Sequence, residues 1–290
     1  MSKILVTGAT GGLGQAVIEN LLRTTAPDQV VALARDPAKA AGLAAQGVQV
    51  RQGSYDDYAA LLAAFAGVEK LLLVSGNDME HRTAQHANVI SAAREAGVRH
   101  VVYTSIPRQT PDGSPDLTFI TDSHLATEQL LQESGLTYTI LKNTLYLDVL
   151  PFYMGKVLET GTIYLPAGQG RVPYASRADL GAAAAAVLTS SGHDNQAYDL
   201  TGPVSYSFAD IAGLLSELTG RPITYVSPTA EEFGTRMAGS GLPSHLIELL
   251  AGFATAIAQG EFDSVSPVLA QLLGRQPEGA REFLKQTYKL

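Results

Sequence analysis

GATGGLG occupies residues 8–14, one residue after the apolar run Ile4-Leu5-Val6 and directly before a segment of helical composition at 15–23. The chain therefore opens with a strand, a glycine-rich turn and a helix. Glycines in such a turn can adopt positive φ, and their missing Cβ atoms let backbone N–H groups approach a phosphate. The stretch predicts the pyrophosphate turn of a dinucleotide site, with Gly8, Thr10, Gly11, Gly12, Leu13 and Gly14 as its contacts. The alternative is a glycine-rich turn in an ordinary βα unit.

Short apolar runs continue to alternate with helical segments beyond this turn. The predicted strands lie at 30–34, 48–52, 71–74, 101–103 and 138–141. A glycine stands just before several of them, at Gly47, Gly67, Gly97 and Gly135, where a preceding helix would end. This alternation predicts an α/β fold, a Rossmann-like doubly wound parallel sheet with helices on both faces.

The composition and periodicity of the sequence change after Leu147. Residues 151–175 are rich in Gly, Pro and Tyr, whereas 179–188 and 197–200 return to a helix and a strand, and helices dominate from Ser207 onward. We therefore predict a dinucleotide-binding Rossmann domain at 1–150, to which 176–203 return. Residues 151–175 and 204–290 are predicted to form a smaller, mainly helical substrate-side domain. Asp179 is expected to cap its helix.

Composition excludes several classes of protein. The 290 residues carry a formal net charge of −8, which argues against a general nucleic-acid binder. The chain has no Cys, and His81 and His86 have no carboxylate at ligand spacing, so no metal site is expected. No apolar run is long enough to cross a membrane, and the strand at the N-terminus leaves no room for a signal peptide. We expect a cytoplasmic protein that does not bind membranes.

Arg35 stands at the end of the second predicted strand, where a dinucleotide fold faces the adenosine ribose. A guanidinium there favours the 2′-phosphate of NADP(H) over the free hydroxyl of NAD(H). The neighbouring Asp36 is acidic, but Asp36-Pro37 is typical of a helix cap followed by proline at the first helical position. The alternative for Arg35 is a solvated surface charge.

Further polar residues follow the other strands at the same predicted edge of the sheet. They are Ser54 and Tyr55 after the third strand, Ser75, Gly76 and Asn77 after the fourth, and Tyr103 and Thr104 at the end of the fifth. Ligands of open α/β sheets bind beyond the carboxyl ends of the strands, so we predict that these residues contact the cofactor. As an alternative, they are only polar loop starts.

Taken together, several motifs resemble one family. GATGGLG at 8–14, Arg35, YTS at 103–105, HLATE at 124–128, LKN at 141–143 and LGRQP at 273–277 are similar to the NmrA-like branch of the atypical short-chain dehydrogenases. The resemblance runs from end to end and extends to its reductases of quinones and triarylmethane dyes. It implies a Rossmann fold, a nicotinamide dinucleotide and hydride transfer.

One departure from ordinary short-chain dehydrogenases bears on mechanism. Those enzymes carry a Tyr-x-x-x-Lys pair after the fifth strand, whereas this chain has His124-x-x-x-Glu128. A glutamate cannot replace the cation that stabilises a phenolate, so alcohol–ketone chemistry is disfavoured. His124 is a candidate proton donor, with a polar residue lining the site as the alternative. Asn143 could bond the nicotinamide or the substrate, or simply shape a turn.

Tyr146, Phe152 and Tyr153 follow the sixth strand and could form an aromatic wall for a planar substrate. The alternative is ordinary hydrophobic core. The sequence thus predicts an NADPH-dependent reductase that passes hydride directly to a quinone or another electron-poor conjugated compound, without flavin or metal. A dinucleotide-sensing regulator without turnover, as NmrA is in this family, and a reductase of one biosynthetic intermediate stay open. A small molecule is the expected partner, and a homodimer is the candidate assembly.

Overall fold

The structure is a computed structural model that describes residues 3–110 and 117–290. Within these residues the strands are β1 Lys3–Val6, β2 Val30–Ala34, β3 Gln49–Gln52, β4 Val68–Leu73, β5 His100–Ser105, β6 Thr137–Asn143, β7 Thr162–Tyr164, β8 Gln196–Leu200 and β9 Thr224–Val226. Seven of them form one sheet in the order β3-β2-β1-β4-β5-β6-β8, and all neighbours are parallel. The predicted Rossmann-like sheet is confirmed.

Helices connect these strands. In the described part of the chain they are α1 Gly12–Leu21, α2 Ala41–Ala45, α3 Tyr58–Phe65, α4 Arg82–Glu95, α5 Thr118–Glu133, α6 Leu150–Met154, α7 Val157–Thr160, α8 Arg177–Thr189, α9 Phe208–Thr219, α10 Ala230–Ala238, α11 Ser244–Ala258, α12 Val268–Leu273 and α13 Ala280–Tyr288. Helices α1 and α8 cover one face of the sheet, and α3, α4 and α5 cover the other.

The strand residues alternate between these two faces, as a pleated strand requires. Ile4 and Val6 of β1 are buried in the core beneath α1 and α8, whereas Leu5 is buried in the core beneath α3, α4 and α5. Because both faces are covered, the central strands contain continuous apolar runs, at 4–6 in β1, 30–34 in β2 and 71–73 in β4.

The strand order reverses at β1, which lies between β2 and β4. Val6, at the carboxyl end of β1, is in register with Ala32 of β2 and Leu72 of β4. The chain leaves this point in opposite directions along the sheet, which opens a crevice at the carboxyl ends of β1 and β4. The glycine-rich turn lies at this crevice.

Local signals in the sequence end and begin several helices as predicted. Gly47, Gly67, Gly97 and Gly135 all have positive φ just before a strand. Asp36 accepts a hydrogen bond from the N–H of Ala38 at 3.0 Å, with Pro37 at the first position of the short turn that follows. The capping role of Asp36 is confirmed.

The capping role expected for Asp179 is wrong. Ser176 caps α8 and accepts from the N–H of Asp179 at 3.2 Å. The Asp179 carboxylate is buried and bonds the Arg275 guanidinium at 2.5 Å and the N–H of Glu278 at 2.6 Å. Asp179 therefore links α8 to the segment at 275–278 through hydrogen bonds.

A third hydrophobic core lies outside the sheet. It is built mainly from residues of 145–174 and of α9, α10, α11 and α13. A two-stranded parallel sheet of β7 and β9 belongs to this part. The elements α6, α7 and β7, which lie between residues 150 and 164, are too short to show a period in the sequence. Helix α12 packs instead on the sheet core beside α8, through Leu269. The division into two domains stays a prediction.

Candidate cofactor cleft

The glycine-rich turn is shaped by close backbone contacts. Gly8 has φ +58°, and a Cβ there would lie 3.2 Å from the Val74 side chain. A Cβ on Gly14 would lie only 2.2 Å from the carbonyl oxygen of Gly8, so α1 begins directly against the turn. Gly11, at the N-cap of α1, has no side chain to cap the first turn. The first N–H groups of α1 therefore remain available to an anion.

A cleft of about 440 Å³ opens over this turn at the carboxyl ends of the central strands. Most of its walls come from residues that the sequence singled out: Gly8, Thr10, Gly11, Gly12, Leu13, Gly14, Arg35, Ser54, Tyr55, Ser75, Gly76, Asn77 and Tyr146. The loops after β1, β2, β3 and β4 thus meet around one elongated space, as expected at the topological switch point.

Arg35 borders one end of the cleft, and its side chain is exposed. None of the ion pairs among the described residues involves it. Because the Asp36 carboxylate is engaged with the N–H of Ala38, the guanidinium of Arg35 is available to an anionic group at this end.

Arg177 lines the cleft on the side of the glycine turn, and sequence reasoning missed it. Its guanidinium carbon lies 4.8 Å from the centre of the Tyr146 ring, a cation–π geometry. Its Cδ would lie 3.1 Å from a Cβ placed on Gly12, and Asp148 is a loose partner at 3.8 Å. No local motif marks Arg177, because α8 is distant from the turn in sequence and reaches it only by packing on α1.

Three further cleft residues were also missed by the sequence reasoning. The Gln85 amide nitrogen donates to Asp56 at 3.0 Å and to Asp78 at 3.2 Å, bridging the loops after β3 and β4. The N–H of His81 and its ring lower the pKa of Asp78, the backbone hydrogen bond most strongly. Asp56 and Asp78 thus add two carboxylates to a cleft that is also lined by Arg35 and Arg177.

Tyr55 joins three strands beneath the cleft. Its hydroxyl donates to the carbonyl of Val74 at 2.8 Å and is hydrogen-bonded to Thr7 Oγ1, which also accepts from the N–H of Val74 at 2.9 Å. Burial raises the pKa of Tyr55 well above the usual tyrosine value. The ring of Tyr55 is therefore fixed at the cleft wall.

Thr104 and Tyr103 stand behind the cleft and do not line it. Thr104 Oγ1 accepts from the N–H of Ser75 at 2.9 Å, so it supports the loop after β4. The side chain of Tyr103 is fully buried in the core beneath α3, α4 and α5. Direct contact between the Tyr103 side chain and a dinucleotide in the cleft is excluded by this burial.

His124 is also buried behind the cleft, on α5. Its Nδ1 lies 2.6 Å from the Tyr103 hydroxyl and its Nε2 lies 3.4 Å from Nη1 of Arg82. Burial, together with the positive charge of Arg82, lowers the pKa of His124 well below the ordinary histidine value. The ring is therefore neutral at physiological pH, and both of its nitrogens have partners in the protein.

Asn143 ends β6 and is 4% exposed. Its side-chain oxygen has no hydrogen-bond partner in the described part of the chain. Burial raises the pKa of the nearby Tyr146, and a hydrogen bond with the Asn143 amide acts in the opposite direction. A buried amide oxygen without a partner is costly, so a ligand that donates a hydrogen bond would satisfy it.

The three predicted substrate aromatics lie in different surroundings. Tyr146 faces the cleft, Phe152 on α6 is 47% exposed, and Tyr153 packs edge-on against Phe208 with ring centres 6.0 Å apart. Neither Phe152 nor Tyr153 lines the cleft itself. An aromatic wall formed by all three stays a prediction.

The described residues form neither a metal site nor a membrane-spanning helix. Residues 3–110 and 117–290 contain no group of three His, Cys, Asp or Glu side chains placed to hold a metal ion. In the same ranges, no helix combines the length and the apolar character needed to span a bilayer.

Known proteins that resemble this chain bind nicotinamide dinucleotides, as the cleft suggests. The sequence model of a family described as NAD(P)H-binding matches residues 8–191, from the glycine turn to just beyond α8. The chain belongs to this NAD(P)H-binding family. The NAD(P)H-binding chain is also 40% identical to quinone oxidoreductase 2 of Escherichia coli over 287 residues, which cover 99% of each protein.

Solved structures extend this likeness to the NAD(P)H-binding fold. The NADPH complex of the E. coli quinone oxidoreductase superposes with a TM-score of 0.93 at 39% identity, covering 98% of this chain and 99% of the other. The triphenylmethane reductase of Citrobacter sp. superposes at 0.92 with 38% identity, covering 99% and 100%. The negative transcriptional regulator NmrA shares the fold alone, at 0.80 and 16% identity over 99% and 96%.

Proposed function

We propose that the protein is an NADPH-dependent reductase that passes hydride directly to a quinone or a similarly electron-poor conjugated compound. One observation carries the proposal. A dinucleotide-shaped cleft, with a glycine turn and an available arginine on its walls, occurs in a chain that is 40% identical over 99% of its length to a quinone oxidoreductase.

The described residues fit NADPH by their chemistry. The uncapped N–H groups of α1 and the guanidinium of Arg177 suit the pyrophosphate, and Arg35 suits the 2′-phosphate. The unpartnered oxygen of Asn143 suits the carboxamide of the nicotinamide. When bound, the reduced nicotinamide supplies the hydride.

The protein's own contribution is then to orient the two reactants, because the candidate acid His124 does not line the cleft. His124, the candidate acid of the sequence analysis, is neutral, buried and bonded on both ring nitrogens. A cationic triarylmethane dye accepts hydride and becomes neutral without a proton. A quinone accepts hydride as a hydroquinone anion, which can take its proton from water. Both acceptors suit a site that works by positioning.

Tyr146, Phe152 and Tyr153 are proposed to contact the acceptor. Tyr146 already faces the cleft, and the exposed ring of Phe152 offers apolar surface on the same connection between β6 and β7. A planar aromatic acceptor would bury this surface. A homodimer and a cytoplasmic location stay predictions, as does the absence of flavin.

Steady-state oxidation of NADPH, followed by absorbance with a panel of quinones and cationic triarylmethane dyes, tests the proposal. We expect catalytic turnover, and stereospecifically deuterated NADPH should deliver its label to the central carbon of the dye. Tight NADPH binding without turnover on any acceptor would instead support a dinucleotide-sensing regulator. Turnover of neither class of acceptor, but of one other conjugated compound, would support a specific biosynthetic reductase.

A further inference from the structure

Side chains bond three successive N–H groups and one carbonyl of the loop after β4. Thr7 accepts from the N–H of Val74 at 2.9 Å and Thr104 from the N–H of Ser75 at 2.9 Å. The N–H of Gly76 donates to Nε2 of His86 at 3.0 Å, and the carbonyl of Gly76 accepts from Nε of Arg82 at 2.7 Å. Ser75 and Gly76 both line the cleft.

His86 is fixed in one tautomer by its partners. Because the N–H of Gly76 can only donate, Nε2 of His86 must accept and Nδ1 must carry the proton. Nδ1 lies 2.9 Å from Thr127 Oγ1, which in turn donates to the carbonyl of Ser123 at 2.7 Å. The acceptor that faces Gly76 is thus set by a chain of hydrogen bonds that ends on α5.

Arg82 is an unusual residue for its position. It is 3% exposed and stands at the first residue of α4, where the helix dipole disfavours a cation. Its hydrogen-bond partners are uncharged: the Gly76 carbonyl, Ser123 Oγ at 3.3 Å and His124 at 3.4 Å. None of the ion pairs between described residues includes it. A buried charge without a carboxylate partner costs stability, so a functional reason for keeping it is expected.

We propose that Arg82 and His86 are positioning residues for the cofactor: they fix the two peptide units that flank Gly76 and hold a positive charge beneath the wall that receives an anionic dinucleotide. The proposal rests on NADPH binding in the cleft, which is part of the proposed function. Arg35 is expected to bind the 2′-phosphate, which NADPH has and NADH lacks. Arg82 and His86 act on a backbone wall that NADPH and NADH share, so their loss should weaken both cofactors equally.

The test measures Kd for NADPH and for NADH by titration calorimetry. Arg82→Met should raise both constants at least ~10-fold and leave their ratio unchanged, whereas Arg35→Ala should change the ratio. Arg82→Lys keeps the charge but cannot reach Gly76 and Ser123 together, so both constants should stay raised. Arg94→Met, on an exposed arginine of the same helix, is the matched control and should bind as the unaltered protein does.

A second pair of variants covers the case in which Arg82→Met does not fold. His86→Leu removes the acceptor for the N–H of Gly76 and should raise both constants at least ~5-fold. His86→Gln places a carboxamide oxygen near the position of Nε2 and should restore binding to within ~3-fold of the unaltered protein. A purely structural role would lower the melting temperature of the Leu variant without this recovery.

Unchanged constants in folded Arg82→Met, or full recovery in Arg82→Lys, would overturn the proposal. Equal dissociation constants for His86→Leu and His86→Gln, with NADPH and with NADH, would also overturn the proposal. Since Kd is measured without an acceptor, failure of this inference is separate from failure of the reductase assay. The unaltered protein could bind NADPH as described here and still reduce none of the quinones or dyes.

Discussion

Arg35 and Asp36 are adjacent opposite charges at the tip of β2, and their surroundings separate their roles. The Asp36 carboxylate is bonded to a backbone N–H, whereas Arg35 lies exposed at the edge of the cleft. We expect the protein to bind NADPH at least ~10-fold more tightly than NADH, which corresponds to about 1.4 kcal/mol. Arg35→Ala should remove most of this preference in calorimetric titrations.

Lys39→Ala provides the control for the Arg35 variant, because Lys39 is an exposed cation close by that does not line the cleft. Its preference for NADPH should match that of the unaltered protein. If Lys39→Ala loses as much preference as Arg35→Ala, a diffuse positive field rather than a contact with the 2′-phosphate discriminates between the cofactors.

The buried ring of His124 leads to a prediction for catalysis. His124 is buried, does not line the cleft and has protein partners on both ring nitrogens, so we expect His124→Asn to lower kcat with a cationic dye by less than ~10-fold. General acid catalysis would contribute ~10²–10⁴-fold. His100→Asn controls for the loss of a buried histidine, since His100 lies at the start of β5, the opposite end from the cleft.

A loss of ~10³-fold in His124→Asn, with both a quinone and a dye and with NADPH affinity unchanged, would show that His124 is the proton donor after all. The acid-free mechanism would then fail for this protein.

At the scale of an element, α1 depends on a glycine for its contact with the turn. Gly14→Ala would place a Cβ 2.2 Å from the Gly8 oxygen and 2.9 Å from Ala9 Cα, which are both backbone atoms. We expect the free energy of unfolding to fall by about 1–3 kcal/mol, as in other overpacked sites, and NADPH affinity to fall with it. Urea denaturation measures the first effect and calorimetry the second.

Gly213→Ala is the matched control on α9, because nothing lies within 4 Å of a Cβ at that helical position. Here alanine should raise the free energy of unfolding by about 0.4–1 kcal/mol, since it restricts only the unfolded chain. Stabilisation of α1 by Gly14→Ala would contradict the close packing of α1 on the turn.

At the scale of the whole molecule, buried histidines make stability depend on pH. Burial lowers the pKa of His86 to about 3, while the unfolded chain has an ordinary histidine pKa of about 6.5. Below pH 6.5 the unfolded state therefore binds a proton that the folded state refuses, and stability falls as pH falls toward 3. Between pH 7.5 and 5.5 this histidine should cost about 1.4 kcal/mol.

Urea denaturation at the two pH values measures this loss, and His86→Gln isolates it. Other titrating groups, including the exposed His81 with its raised pKa, contribute equally to both proteins and cancel in the comparison. The variant should lose about 1.4 kcal/mol less than the unaltered protein over this pH range. An identical pH dependence would mean that His86 is already charged in the fold.

Much of this protein could be predicted from neighbouring residues alone. The alternation of strands and helices, the positive-φ glycines before the strands, the Asp36 cap and the glycine turn are short-range features, whose physical rules act over a few residues. The cleft walls after β1 to β4 followed from one further rule, that ligands bind where parallel strands end. Asp179 shows the limit of such local reasoning. Its position predicted a helix cap, but its carboxylate bonds Arg275, which is distant in sequence, and Ser176 caps the helix instead.

Contacts between distant segments depended on the packing of the folded chain. Arg177 of α8 lies beside the glycine turn, and Arg82 and His86 of α4 are hydrogen-bonded to Gly76. Helix α12, near the C-terminus, packs on the core of the sheet. Histidine is a residue type that often acts in catalysis, yet the packing of α5 against α4 buries the His124 ring and keeps it neutral. Burial and long-range partners set these roles, and neither is encoded in the spacing of nearby residues.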